Sequence, residues 1–178
     1  SYSSIAAHWL PEVIRVFQQD FPHVNIRLME GIWQEVSGWL DERTADIGFF
    51  SYQEGMPYEW IPLAEDPMLA LLPRDHPLAG CGTISLSRLR DEPLLMISQD
   101  FMFSGVVESL CRQAGFAPQV AFESSQWDLL YEMALDGRGV AFFPKALMDK
   151  HPQSEAVCLH LQDPAAPWIL SVAYRREQ

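Results

Sequence analysis

Residues 70–80 of the chain read ALLPRDHPLAG and separate two segments that we predict to share one order of helices and strands. The apolar run before the division, residues 68–72, predicts a buried strand. The charged residues that follow are enclosed by Pro73 and Pro77. Proline fixes one backbone dihedral angle and lacks an amide donor. The strand is therefore predicted to end in this segment, which we call the 73–77 turn.

The first half alternates helices and strands. Apolar residues recur every three or four positions from Ile5 to Phe17, which predicts an amphipathic helix. Residues 21–31, FPHVNIRLMEG, alternate in polarity and predict a strand; WQEVSGWLDERT (33–44) predicts a helix and ADIGFF (45–50) a strand. Because this order opens on a helix, we expect a first strand to be missing before it. Such alternation predicts a parallel or mostly parallel sheet with helices on both faces.

The second half restarts this order after the 73–77 turn. The predicted elements are a strand in PLLMIS (93–98), a helix in SGVVESLCRQAG (104–115), a strand in PQVAFES (118–124), a helix in QWDLLYEMALDG (126–137), a strand in GVAFFP (139–144), and two late strands in CLHLQD (158–163) and WILSVAYRR (168–176). The two halves are therefore predicted to share one architecture.

The composition predicts a globular chain that does not itself bind nucleic acid. Of its 178 residues 48% are hydrophobic, and the formal net charge is -12. Such a surface repels polyanions. No window holds the ~18 consecutive apolar residues that span a membrane, and the first residues lack the pattern of a secretory leader. We expect a soluble fragment that makes no membrane contact.

Cysteine and histidine residues form no recognisable catalytic or metal-binding pattern. The three cysteines are Cys81, Cys111 and Cys158. Their odd number and wide spacing favour reduced, structural or incidental thiols in a cytoplasm over redox sensing. His23, His76 and His151 adjoin prolines without a nucleophile or ligand motif nearby, which favours turn residues over catalytic bases. No catalytic residue, cofactor or metal is predicted.

Two glycines near the end of the second half carry conformational information. Gly137 and Gly139 follow a helix and precede a strand, the reverse of the order in a phosphate-binding loop. Gly137 is predicted to end the helix in a left-handed conformation. Gly139 permits a close backbone approach, and the residues alone favour a ligand and a packed neighbour equally.

Four turns are candidates for ligand binding: residues 1–4, 31–33, 98–104 and 123–127. Ligands of open α/β sheets bind beyond the carboxyl ends of strands, where helix N-termini offer free N–H donors. Helix capping explains Ser4 and Ser104 as well, and the two roles are compatible. Aromatic residues at turns close a core or line a pocket, and the sequence leaves both readings open for Trp33, Phe101, Phe103 and Trp127.

These segments, in this order and spacing, closely resemble the effector-binding domain of LysR-type transcriptional regulators. The resemblance rests on residues 3–31 as opening helix and second strand, LDERTADIGFF (40–50) as an acidic turn into an Asp-Ile-Gly strand, LLPRDHPLA (71–79) as crossover, and MALDGRGVAFFP (133–144) as the Gly-x-Gly strand. It covers nearly the whole sequence.

The resemblance implies an α/β fold like that of type 2 periplasmic binding proteins. Two Rossmann-like subdomains would be joined by two crossover strands, with a small-molecule cleft between them. Residues 1–72 and 150–178 would form subdomain I, and residues 73–149 subdomain II. The 73–77 turn would stiffen the passage between them, and the return crossing would lie around residues 145–159. The winged helix-turn-helix DNA-binding domain of these regulators is absent from this chain.

The resemblance also implies the effector-binding residues. Carried over by position, they are Ser4, Ile32, Phe101, Phe103, Ser125, Gln126 and Val140. The polar and aromatic turns described above add Ser3, Trp33 and Ser98. Ile32 departs from the family, many of whose members have Thr or Ser there. Loss of that hydroxyl, with aromatic residues nearby, favours an apolar or aromatic effector.

The implied function is a non-enzymatic sensor in the cytoplasm. Effector binding would change the arrangement of a dimer or tetramer and so alter DNA binding by the separate domain. A solute-binding protein of a transporter is an alternative with the same fold, but it would be exported. An enzyme with a two-domain cleft is a third possibility, and it lacks a recognisable catalytic set.

Overall fold

The structure is a computed structural model that describes residues 10–52, 55–149, 156–163 and 167–176. The helices in these ranges are α1 (Leu10–Asp20), α2 (Trp33–Asp41), α3 (Met102–Gln113), α4 (Trp127–Leu135) and α5 (Lys145–Met148). The strands are β1 (Gly48–Ser51), β2 (Glu59–Pro73), β3 (Thr83–Ser85), β4 (Leu94–Ile97), β5 (Val120–Ser124), β6 (Val140–Pro144), β7 (Ala156–Gln162) and β8 (Pro167–Tyr174). Within these ranges, every helix is too short or too polar to cross a membrane.

The chain divides into two compact units. Unit 1 comprises Ser1–Glu65 and Ile169–Gln178, and unit 2 comprises Asp66–Trp168. Strands β2 and β8 each contain a boundary, so two strands connect the units. The sequence placed the boundaries after residue 72 and before residue 150. The compact units divide within β2 and β8, because the second part of β2 pairs with β6 and β7 of unit 2.

The 73–77 turn lies inside unit 2 and is therefore not the passage between the units. The Pro73 carbonyl accepts a hydrogen bond from the His76 N–H at 3.1 Å. His76 Nδ1 accepts one from the Leu78 N–H at 3.2 Å, and its Nε2 lies 3.4 Å from a carboxylate oxygen of Glu92. Both ring nitrogens thus have partners, so His76 fastens the turn.

Unit 2 contains a mixed set of strand pairings. Strand β4 pairs in parallel with β5 and β6, as expected where strands alternate with helices. Strand β3 is parallel to β7, whereas β2 is antiparallel to both β6 and β7. The predicted parallel arrangement is therefore correct for β4–β6 and wrong for β2, which enters from unit 1 and has no helical crossover to its neighbours.

The core of unit 2 is formed by apolar residues of these strands and of the helices packed on them. Leu71, Leu94 and Phe143 are each 0% exposed. Burial of one such side chain contributes about 1.5–3 kcal/mol. Residues 68–72 therefore form the buried strand that the apolar run predicts.

In unit 1, a cluster of hydrogen-bonded side chains at the apolar core joins three parts of the chain. Strand β1 pairs antiparallel with β8, which places Phe50 opposite Ser171. Tyr58 packs edge-on against Phe50 and donates a hydrogen bond to Asp41 Oδ1 at 2.7 Å. Asp41 also forms an ion pair with Arg175. Tyr58 thus ties the end of α2 to the residues after β8.

The strand predicted within residues 21–31 is not formed. Residues 23–32 are without secondary structure, and Val24, Ile26 and Leu28 are 46%, 40% and 46% exposed. A strand needs a neighbour to accept and donate its backbone hydrogen bonds. The alternating pattern was read correctly, but among the described residues this segment has no paired strand.

The two glycines after α4 differ in role. Gly137 has a φ of 69°, which is the predicted left-handed conformation at the end of a helix. A Cβ atom on Gly139 would lie 2.4 Å from the carbonyl oxygen of Pro93. The close neighbour of Gly139 is therefore packed backbone, not a ligand.

Candidate functional site

The carboxyl ends of β4 and β5 lie side by side in unit 2. Their parallel register places Ile97 opposite Ser124, so the turns after both strands leave the same edge of the sheet. One turn leads into α3 and the other into α4. We call residues 98–101 and 124–127 the carboxyl-end surface. Open α/β sheets bind ligands at such an edge.

Two helix N-termini supply backbone donors at this surface. The residues that precede α3 and α4, Phe101 and Gln126, make no side-chain capping hydrogen bond. The first N–H groups of a helix have no intrahelical acceptor, and the helix dipole adds partial positive charge to them. Both helices can therefore donate hydrogen bonds to a bound acceptor.

Hydrogen bonds hold the two turns together. The Ser98 N–H donates to the Ser124 carbonyl at 2.9 Å, and the Gln99 N–H donates to Glu123 Oε1 at 3.2 Å. Within the second turn, the Gln126 N–H donates to Ser124 Oγ at 3.0 Å. The carboxyl-end surface is consequently a fixed arrangement of two turns.

Aromatic side chains line the base of this surface. The ring centroid of Trp127 lies 6.3 Å from that of Phe101 and 5.3 Å from that of Phe103. Phe103 also contacts Trp168 at 5.1 Å and is 2% exposed. Phe103 is thus a core residue, whereas Phe101 and Trp127 are half-buried at the border of the core. The indole Nε1 of Trp127 is buried without a hydrogen-bond partner.

The side-chain charge at these turns is acidic. Asp100, Glu123 and Asp128 are exposed, and residues 98–104 and 123–128 contain no lysine or arginine. Glu123 is partly engaged by the Gln99 N–H. A bound molecule would meet backbone donors and aromatic rings, with these three carboxylates at the same turns.

The structure brings together only part of the predicted site. Ser98, Phe101, Phe103, Ser125 and Gln126 converge in unit 2, with Ser125 and Gln126 exposed. Ser3 and Ser4 lie outside the described residues.

The remaining predicted residues lie elsewhere. Val140 begins β6 opposite Leu94, at the amino ends of the strands, and is 1% exposed. It is therefore a core residue at the opposite end from Ser98. In unit 1, Ile32 precedes α2 and its N–H donates to Glu35 Oε2 at 2.9 Å. Ile32 and Trp33 are both half-buried.

Sequence reasoning missed two aromatic residues of the site. Trp168 contacts Phe103, and Phe143 lies 5.4 Å from Trp127 between ring centroids. Both come from strands distant in sequence, so no local pattern indicates them. In the described ranges, no three His, Cys, Asp or Glu side chains are arranged to hold a metal ion.

The fold and this surface define an α/β ligand-binding domain built from two units. Residues 1–178 match the family model of the LysR substrate binding domain. The chain belongs to this family, the effector-sensing domains of LysR-type regulators.

Two relatives in Bacillus subtilis (strain 168) are described as uncharacterized HTH-type transcriptional regulators. The chain is 27% identical over 176 residues to the uncharacterized HTH-type transcriptional regulator YwbI, covering 98% of this chain and 58% of that protein. It is 32% identical over 165 residues to the uncharacterized HTH-type transcriptional regulator YvbU, covering 92% and 55%. The chain thus spans little more than half the length of these relatives.

Among solved structures, the chain is similar to the BenM effector binding domain with its effector benzoate. The TM-score is 0.86 at 22% identity, covering 99% of this chain and 82% of that one. At this identity the similarity shows the fold, which is the periplasmic-binding-protein-like fold of LysR effector-binding domains. The predicted family and fold are therefore confirmed.

Proposed function

We propose that the carboxyl-end surface of unit 2 binds the effector, and that the effector is a neutral aromatic molecule carrying a hydrogen-bond acceptor. The observation that supports this most is the placement of Phe101 and Trp127 beside two uncapped helix N-termini. Aromatic rings would stack on the ligand, and the helix N–H groups would donate to its acceptor.

The charge of the effector follows from two competing effects. Each helix N-terminus favours an anion by about 0.3–1 kcal/mol. Asp100, Glu123 and Asp128 are exposed carboxylates that oppose an anion, and a like charge would cost about 4 kcal/mol if it lay about 4 Å from the anion near a protein surface. Because these turns carry no lysine or arginine, repulsion outweighs the dipoles. A carbonyl or phenol suits the surface better than a carboxylate.

In the full-length protein, effector binding would bias the arrangement of a cytoplasmic dimer or tetramer and thereby its affinity for DNA. The relatives' description as HTH-type transcriptional regulators supports this assignment over a transporter component and over an enzyme. The net charge of -12 supports DNA contact through a separate part of the protein.

The thiols favour ligand sensing over peroxide sensing. Oxidants attack the thiolate, so a sensor thiol needs a lowered pKa and access to solvent. Burial raises the pKa of Cys111 to about 11, and burial also raises the pKa of Cys158. Cys81 is exposed, and its Sγ is 3.3 Å from Arg88 Nη1. A single accessible thiol does not supply a disulfide-forming pair.

A ligand titration tests the proposal. The chain is screened by thermal shift against phenols, aromatic ketones and aromatic carboxylates matched in size, and hits are measured by calorimetry. We expect neutral aromatics to stabilise the chain and Phe101→Leu, which removes a ring that would stack on the ligand, to weaken binding about fivefold or more. Gln113→Ala, at the exposed end of α3, is the matched control and should leave affinity unchanged.

Two outcomes would contradict this site: equal affinity for the carboxylates, or unchanged affinity in Phe101→Leu. Ser3, Ser4, Ile32 and Trp33 stay predictions, and Trp33→Ala tests the unit 1 residues in the same titration. Val140 is not included, because its side chain is in the core.

A further inference from the structure

Trp127, at the start of α4, carries a hydrogen-bond donor that is not satisfied within the described part of the chain. Its indole Nε1 is buried and has no hydrogen-bond partner there. The indole nitrogen donates but does not accept, and the N–H of a buried tryptophan usually finds an acceptor. A buried donor without an acceptor costs free energy, so this group needs an explanation.

The aromatic neighbours of this indole cannot supply the missing acceptor. The ring centroid of Trp127 lies 5.3 Å from that of Phe103 and 5.4 Å from that of Phe143. The ring of Phe101 is 6.3 Å away. All three side chains are hydrocarbon rings, and a contact between an N–H and a ring is weaker than an N–H···O hydrogen bond. An oxygen atom that reached Nε1 would therefore make a better partner than these rings do.

A ligand can reach the buried Nε1 only when a neighbouring side chain moves, and Phe101 is the neighbour suited to this. Phe103 is 2% exposed and Phe143 is 0% exposed, so close packing in the core fixes both rings. Phe101 is half-buried on the carboxyl-end surface, directly before α3. Displacement of the Phe101 ring would give a molecule on that surface access to the indole.

We infer that the indole N–H of Trp127 donates a hydrogen bond to a carbonyl oxygen of the effector, which makes Trp127 a specificity-determining residue. The inference rests on the proposed effector site and narrows the effector to an aromatic ketone, ester or amide. A carbonyl oxygen has two lone pairs, so it can accept from Nε1 and from a backbone N–H at the start of α4 together. A site with a buried donor discriminates against a molecule that leaves this donor unpaired.

Two tryptophan variants and two probes test this role. Trp127→Phe keeps an aromatic ring but removes the N–H. Trp60→Phe is the matched control, because Trp60 is also half-buried in an aromatic cluster, against Phe50 and Tyr52 of unit 1. Calorimetry measures the affinity of each variant of the 178-residue chain for acetophenone and for isopropylbenzene, which has the same shape without the carbonyl.

We expect the loss of the N–H to act on one probe only. Trp127→Phe should weaken the binding of acetophenone about three- to tenfold, the usual effect of one hydrogen bond. It should leave the affinity for isopropylbenzene unchanged within about twofold, because packing on the ring is retained. Trp60→Phe should change neither affinity.

Nuclear magnetic resonance of the unsubstituted protein gives a second readout that does not depend on the folding of a variant. The Nε1–H signal of Trp127 is assigned through its contacts with protons of the Phe103 ring. Acetophenone should move this signal downfield, because a hydrogen bond to oxygen deshields the proton. Isopropylbenzene should move it less. Equal shifts with the two probes would overturn the inference.

The Phe101→Leu variant distinguishes failure of this inference from failure of the site. If Phe101→Leu weakens both probes but Trp127→Phe weakens them equally or not at all, the site stands and the role of Trp127 is overturned. If Phe101→Leu leaves both affinities unchanged, or if no aromatic ketone binds the chain, the effector site and the role of Trp127 are both overturned.

Discussion

The backbone N–H of Ala146 donates a hydrogen bond of 2.7 Å to Asp66 Oδ2, which joins the first residue of unit 2 to the first turn of α5. Burial raises the pKa of Asp66 above its ordinary value, although the Ala146 hydrogen bond and the nearby Lys145 charge oppose this shift. The hydrogen bond to Ala146 anchors α5. The negative charge of Asp66 opposes folding, because burial disfavours the ionised carboxylate. Substitutions at Asp66 can separate these two effects.

We expect Asp66→Ala to destabilise the protein by about 0.5–2 kcal/mol, because the Ala146 N–H loses its acceptor. Asp66→Asn retains an acceptor oxygen without the charge and should be at least as stable as the wild type at pH 7. Urea unfolding of both variants measures the difference. Equal losses in the two variants would mean that the hydrogen bond contributes nothing.

The pH dependence of Asp66 has a definite sign. The folded protein takes up a proton on this carboxyl at a higher pH than the unfolded chain. This group therefore adds stability as the pH falls through its folded pKa. The advantage of Asp66→Asn over the wild type should shrink between pH 7 and pH 4, a change that unfolding at each pH would detect.

Gly139 and Gly105 form a contrasting pair. A methyl group on Gly139 would meet the Pro93 carbonyl oxygen at 2.4 Å, whereas one on Gly105 in α3 would meet nothing within 4 Å. Gly139→Ala should cost about 1–3 kcal/mol through overpacking. Gly105→Ala should stabilise by about 0.5–1 kcal/mol, because alanine favours the helix. Gly139→Ala should therefore lower the melting temperature, and Gly105→Ala should raise it.

The Asp41–Arg175 ion pair should contribute to stability in a pH-dependent way. The hydrogen bond from Arg175 lowers the pKa of Asp41, with a further contribution from Tyr58. As the pH falls, Asp41 is therefore protonated in the unfolded chain before it is protonated in the folded protein. The stabilisation by the ion pair is present above about pH 4 and is lost at lower pH.

A double-mutant cycle with Asp41→Asn and Arg175→Gln measures the coupling at pH 7. Both side chains are substantially exposed, so we expect a small coupling energy. The coupling should decrease as the pH falls through the lowered pKa of Asp41. A coupling that does not change when Asp41 becomes protonated would contradict the assignment of the pKa shift to Arg175.

Phe103→Ala should lower the stability of the core of unit 2 rather than act only on effector binding. Phe103 is 2% exposed and packs on Trp127 and Trp168, and removal of a buried phenylalanine costs about 3–5 kcal/mol. Ser125→Ala, on the exposed carboxyl-end surface, should change stability by less than about 0.5 kcal/mol. Chemical denaturation of the two variants distinguishes a packing residue from a surface residue.

The three cysteines should differ in labelling. Cys81 is exposed, Cys158 intermediate and Cys111 buried. A thiol reagent at pH 8 should modify one thiol rapidly, and Cys81→Ser should abolish this phase. Burial raises the pKa of Cys111 to about 11, so its thiolate fraction at pH 8 is about 0.1%. Rapid modification of Cys111 in the native protein would contradict its burial.

Local periodicity predicted the elements of unit 2 well. The predicted strand 93–98 and helix 104–115 correspond to β4 and α3, and the strand at 139–144 to β6. Apolar residues at these positions face a shared core, so spacings of two and of three to four residues carry the information. The convergence of Ser98 with Ser125 also follows from sequence, because the carboxyl ends of parallel strands share an edge.

Features that depend on distant partners could not be predicted. Strand β2 continues through Pro62 and Pro67, which argue against a strand when read locally. The burial of Phe103 depends on Trp168, and the place of Val140 depends on which end of β4 it adjoins. Contacts of this kind depend on the order of the strands in the sheet, and the periodicity of the sequence does not determine that order.

The continuity of unit 2 has a consequence during synthesis. Unit 2 is one uninterrupted segment, while β1 of unit 1 pairs with β8, whose residues from Ile169 onward emerge from the ribosome only after unit 2 is complete. Unit 2 can therefore pack its core on the nascent chain, because domains fold as units as they appear. Unit 1 must wait, and until β8 is available β1 keeps an open strand edge that can pair with another chain and aggregate.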